Sequence, residues 1–194
     1  MRTLLRNLLL WGAATTLTTS SLLGQAPAPR HEVDLAVTYL AQRSNFTPGQ
    51  FFWRQGGTFE LSAEAYHGFG IAMNIAGSEA SNIQGTGIDL NTLTTTFGPR
   101  YTWHRHKVAV FGQGLIGESH AWNSFFPQTG GAVTDANTFA LQVGGGVDLH
   151  IGRHFAVRPI QADWVRTQFP NATTNIQNNL RLGAGIVLRF PQSR

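Results

Sequence analysis

Residues Asn178–Phe190 read NNLRLGAGIVLRF. The even positions are Leu180, Leu182, Ala184, Ile186, Leu188 and Phe190; the odd ones are Asn179, Arg181, Gly183, Gly185, Val187 and Arg189. Successive side chains of a strand point to opposite faces, so this segment is a strand with one hydrocarbon face and one polar face. The two faces cannot share one environment. Either the apolar face lines a core, or it meets lipid while the arginines line a polar interior.

Composition favours lipid. Charged residues make up only 12% of the chain, and Lys107 is its one lysine. A soluble β-protein covers its outer face with charged side chains, and this sequence has too few. The net charge of +4 comes mostly from arginines scattered along the chain, several of them inside strands. Nucleic-acid binding would want them clustered. There is no cysteine, hence no disulfide and no lipoprotein cysteine.

The first residues read as a secretory leader. Arg2 and Arg6 supply the positive region, Leu8–Ala14 the apolar one, and Gly24 and Ala26 are small enough for cleavage. A signal peptide over 1–26 is expected, with the cut placed within 24–28. The apolar run is shorter than the roughly 20 residues of a spanning helix. No later run is longer, which leaves a closed barrel as the way to cross a membrane.

Seven further strands follow from the same alternation. The first has Val33, Leu35, Val37, Tyr39 and Ala41 on its apolar face and Glu32, Asp34, Ala36 and Thr38 on the other. The second sets Phe59, Leu61 and Ala63 against Glu60, Ser62 and Glu64, and the third carries Phe69, Ile71, Met73 and Ile75. The fourth sets Leu93, Phe97, Tyr101 and Trp103 against Thr92, Thr94, Thr96 and Arg100. The fifth, Lys107–Glu118, has apolar residues on both faces and no readable phase. The sixth sets Phe139, Leu141, Val143 and Val147 against Gln142, Gly144, Gly146 and Asp148. In the seventh, Phe155–Thr167, a bulge at Pro159 lets Arg158, Gln161 and Asp163 all face inward.

Connections alternate between long (42–57, 77–89, 119–137, 168–177) and short. That asymmetry predicts an all-β, eight-stranded antiparallel up-and-down transmembrane barrel over 31–190, with a short tail, 191–194. Short turns and both chain ends are expected in the periplasm. Outward aromatics near the strand ends fit two interfacial girdles: Phe69, Tyr101, Trp103, Phe155 and Phe190 at one end; Tyr39, Phe59, Phe139 and Trp164 at the other.

Val143–Phe169 (VGGGVDLHIGRHFAVRPIQADWVRTQF), followed by NNLRLGAGIVLRF, resembles the outer-membrane β-barrel domain family, related to the OmpA-like and OmpX-like eight-stranded barrels. The resemblance spans about 31–190 and is most specific over the last three strands. It implies that Gly185, Leu188 and Phe190 form the terminal signal read by the barrel-assembly machinery. Gly183, where a polar residue is usual, and the extension Pro191–Arg194 depart from the pattern. No segment is left for a peptidoglycan-binding domain.

The interior of so narrow a barrel is just wide enough for side chains to fill. Glu32, Asp34, Glu60, Glu64, Asp148 and Asp163 are expected there with Arg100, Arg158 and Arg181, and Arg189 at the rim, as an ion-pair plug. Glycines 144, 146, 183 and 185 leave room for long arginines opposite. Pairing Thr167 with Asn179 would set Asp163 opposite Gly183, diagonal to Arg181.

No catalytic, cofactor or metal residues are expected. His104-Arg105-His106 lies on a turn without a third ligand. Ser119 and His120, adjacent on a strand, must point to opposite faces. Trp122, Phe125 and Phe126 either meet a partner or cap the barrel. The expected partners are outer-membrane lipids, lipopolysaccharide and the assembly machinery, with no nucleic acid, for a monomer. A non-enzymatic envelope role leads. A lipid A deacylase-type barrel would need a lipid-facing Ser/His pair, and a soluble lipocalin-like barrel would turn the apolar face inward.

Overall fold

The computed structural model describes residues 32–45 and 51–191. The expected leader, and the tail beyond Pro191, lie outside the described residues. Eight strands form one closed antiparallel barrel in which each pairs with its sequence neighbours and the last pairs with the first. They are β1 (Glu32–Asn45), β2 (Phe51–Tyr66), β3 (Phe69–Ala80), β4 (Leu90–Arg105), β5 (Val108–Gln128), β6 (Gly131–His150), β7 (Phe155–Thr167) and β8 (Gln177–Pro191). Closure removes every edge along the shared height of the strands, so the backbone groups there are paired around the ring.

The parity read from the sequence holds around the ring. Thr38, Glu60, Ser62, Asn74, Thr96, Arg100, Gln142, Asp163 and Arg181 are buried inside. Outside, Tyr39, Phe59, Ile71, Phe97, Trp103, Ile160, Ile186 and Phe190 are exposed. This barrel is polar within and apolar without, the opposite of a lipocalin-like arrangement. All nine expected girdle aromatics face outward, from Phe155 at 36% exposed to Phe69 at 62%.

Three expectations are corrected. Two of the four long loops are much shorter than expected, because strands continue past the point where alternation fades, whereas the loop before β8 stands as expected. β1 runs on to Asn45 and β2 starts at Phe51, so only 46–50, which are not described, separate them. The supposed loop 119–137 is mostly hairpin: β5 and β6 pair up to Gln128↔Gly131, with an irregularity between Trp122 and Phe126. Beyond the rim both faces of a strand meet water, so the alternation that marks a strand disappears.

β5, unreadable in sequence, places Ala109, Phe111, Gln113 and Leu115 inward and Val110 and Ile116 outward. The third correction concerns register. Thr167 pairs with Gln177 rather than Asn179, which sets Asp163 directly opposite Arg181 instead of Gly183. The register shift between Arg158 and Gln161 is the bulge expected at Pro159.

Candidate functional site

The barrel interior is built in layers. At the end carrying the short turns, Arg189 pairs with Glu32, and its Nε lies 3.5 Å from Asp34. Beside them His104 Nε2 meets Glu64 Oε2 at 2.7 Å, and Glu64 also accepts the Gly68 amide at 2.9 Å. His104 thus closes the rim with a carboxylate. Among the described residues no cluster of His, Asp and Glu could hold a metal. Next to the rim sits a small apolar cluster of Ala36, Ala156 and Val187.

Glu60 organises the centre. It is 1% exposed and accepts from Arg100 Nη1 and Arg158 Nη1, both at 2.7 Å, and from Gln113 Nε2 at 2.9 Å. Asn74 and Gln161 reach it at 3.3 and 3.4 Å. Asp148 takes a two-pronged contact from Arg158, Nε at 2.7 Å and Nη2 at 3.0 Å, and lies 3.6 Å from Arg100. The Phe111 ring packs against both guanidiniums, 3.7 Å from Arg100 and 4.4 Å from Arg158. Two cations meet two anions, each charge is hydrogen-bonded, and an aromatic face covers the cations. These are the conditions under which buried charge is tolerated.

Above this, Arg181 donates to Gln42, Asn74 and Gln142 at 3.3, 3.3 and 3.4 Å. Asp163 accepts from Gln161 at 2.9 Å. Asp163 and Arg181 therefore join one network, as expected, but through Gln161, Asn74 and Glu60 rather than by an ion pair of their own. The loop end is closed by Leu90, Ala121, Phe126 and Phe169, with the two phenyl rings 5.5 Å apart. Phe126 is thus a cap, whereas Phe125 is exposed and Trp122 stacks on His120 outside.

Of the expected interior set, Glu60, Arg100, Asp148, Arg158, Asp163 and Arg181 form the central network, while Glu32, Asp34 and Glu64 belong to the rim. Gln42, Arg54, Asn74, Gln113 and Phe111 were missed, while Gln142, read as inward on the sixth strand, joins the network through Arg181 and Thr96. Gln42 and Arg54 continue the even-numbered inward parity of their strands, so extending that parity would have found them. The glycines act less uniformly than expected. Gly185 does stand opposite Arg158, but Gly144 makes way for Asp163 and Gly146 for the Phe111 ring. A Cβ on Gly144 would run into Asp163 Oδ1 and the Ala162 carbonyl oxygen. Gly144→Ala is therefore expected to cost about 1–3 kcal/mol by overpacking, read from urea unfolding followed by tryptophan fluorescence.

Ser119 points into the lumen and bonds Thr94 Oγ1 at 2.8 Å, while His120 points outward to Asn137 at 2.7 Å. The pair does not meet. The terminal residues Leu188 and Phe190 face outward, and Gly185 lies opposite Thr38 on β1.

No protein-family model and no curated protein sequence matches this chain. Solved structures do. Ail, the attachment invasion locus protein of Yersinia pestis, aligns with a TM-score of 0.58 at 16% identity, over 82% of this chain and 99% of Ail. Neisserial surface protein A (NspA) aligns with a TM-score of 0.63 at 11% identity, over 81% of this chain and 97% of NspA. At such identities the likeness speaks for architecture, and it agrees with the strand count and the closure. The chain has the fold of the small eight-stranded outer-membrane barrels of the OmpA-like and OmpX-like type.

Proposed function

We propose that this chain is a small, non-enzymatic barrel of the bacterial outer membrane whose interior is sealed by its ion-pair network. Its role is structural, or one of surface interaction, in the cell envelope. In this reading the short turns and chain ends face the periplasm and the loop end faces outside. Lipid and lipopolysaccharide surround a monomer, and the Gly185–Leu188–Phe190 terminus directs its assembly.

The observation that carries the reading is the filled lumen. Rim, central network and cap succeed one another, and cavities among them measure about 10 and 20 Å³. Each has room for little more than a single water molecule. A lipid A deacylase-type activity is disfavoured by the opposed Ser119 and His120 side chains. The test is electrical. Purified protein inserted into planar lipid bilayers should leave the baseline current unchanged. Discrete, stable conductance steps that scale with protein added would overturn the sealed-barrel reading.

A further inference from the structure

The upper lumen holds a charge that the network does not balance. Arg54, on β2, is 6% exposed. Its Nε donates to Ser44 Oγ at 2.9 Å and its Nη1 to Thr92 Oγ1 at 2.7 Å. Both acceptors are neutral hydroxyls, and among the described residues its Nη2 has no partner.

Each of the ten acidic residues is placed elsewhere. Glu60 and Asp148 are committed to Arg100 and Arg158. Asp163 stands directly across from Arg181. Glu32, Asp34 and Glu64 close the far, turn-end rim. Glu79, Asp89, Glu118 and Asp135 are exposed. The charge at Arg54's own level is of like sign: Arg54 pairs across to Gln42, and Gln42 to Arg181. A guanidinium does not shed its proton in a protein. A largely buried cation without a counter-charge is unfavourable, and Nη2 stays open to a group from outside the chain.

A place for it exists. Arg54, Ser44 and Thr92 line a cavity of about 20 Å³ together with Gln177 and Asn179, and Phe169 belongs to its wall. Asn179 Nδ2 donates to the Val165 carbonyl and Gln177 Nε2 to the Phe169 carbonyl. Each amide keeps a second N–H for another acceptor. Thr92 gives its hydroxyl proton to the Ser78 carbonyl, so the donors are a guanidinium, two amides and the Ser44 hydroxyl, around a volume suited to a single-atom ion and too small for phosphate or sulfate.

We propose that this cavity beneath the cap is a binding site for one halide-sized anion, chloride in ordinary media, held by Arg54. The site does not depend on the membrane or functional reading above. Diffraction from crystals of the full chain soaked in bromide tests it, with data collected at the bromine edge. An anomalous peak in contact with the Arg54 guanidinium is the expected result; its absence would overturn the site.

Solution linkage gives a second readout. Urea unfolding of the wild type would be compared in sodium chloride and sodium gluconate at equal ionic strength. Raising chloride to about 100 times its dissociation constant should raise the folding equilibrium constant roughly 100-fold, on a saturating curve. Arg54→Met should lose that chloride dependence and Arg54→Lys should keep part of it. Equal chloride response in wild type and Arg54→Met would mean that water alone solvates Arg54.

Discussion

Replacing Glu60 with glutamine should destabilise the barrel by about 3–5 kcal/mol, although the side chain keeps its shape. Glu60 accepts five hydrogen bonds, two of them from guanidiniums that are 5% or less exposed. The amide would present donors as well as an acceptor to those cations. Arg100 and Arg158 would then share Asp148 alone, leaving one net positive charge in the dry centre. Arg158→Met errs the other way, leaving Glu60 and Asp148 to share Arg100. Combined, the two substitutions restore neutrality, with Arg100 still 3.6 Å from Asp148. The double variant should therefore lose clearly less stability than the two single losses added together. Reversible urea titrations in lipid vesicles supply the four free energies of the cycle. Strict additivity would show that Glu60 and Arg158 do not act as a pair, and that the centre is wetter than the contacts imply.

That network was half legible in the sequence, for a physical reason. Alternation is sharp only where one face meets hydrocarbon and the other a polar lumen. There it gave the inward positions of Glu60, Arg100, Asp163 and Arg181 directly, and Pro159 marked where the parity of β7 must slip. It failed where environments converge. At the loop end both faces meet water, so the reading stopped β1 at Ala41 and began β2 near Phe59, which hid Gln42 and Arg54. In β5, Phe111 and Leu115 face inward while Val110 and Ile116 face outward, so hydrophobicity carries no phase. Phe111 is inside because the guanidiniums of Arg100 and Arg158 lie against its ring, a contact between three strands that no single strand's pattern encodes. Register was the other gap. Alternation fixes which face a residue takes but is unchanged by a slip of two, and two residues is the error made for β7 and β8.

The same limit shapes the expected contrast between Ile186→Arg and Val187→Arg. Parity alone makes Ile186 the sensitive site, since it faces lipid, and treats Val187 as a lumen position where arginine meets polar company. The first half stands. Ile186 is outward and 45% exposed, and an arginine near the bilayer midplane costs about 2–4 kcal/mol, partly relieved when the long side chain reaches for the interface. The second half does not. Val187 is 0% exposed and packed with Ala36 and Ala156, which flank it on the neighbouring strands. An arginine there must displace an apolar cluster, and the rim carboxylates Glu32 and Asp34 already face the Arg189 guanidinium. An unmatched buried charge costs about 3–5 kcal/mol, with overpacking added. Val187→Arg should thus be at least as damaging as Ile186→Arg. Only the Ile186→Arg penalty should change when the vesicles are remade from lipids of different acyl length, since only that guanidinium senses bilayer thickness. Unfolding titrations in two such lipids decide the matter. A milder Val187→Arg would place water, not Ala36 and Ala156, around that side chain.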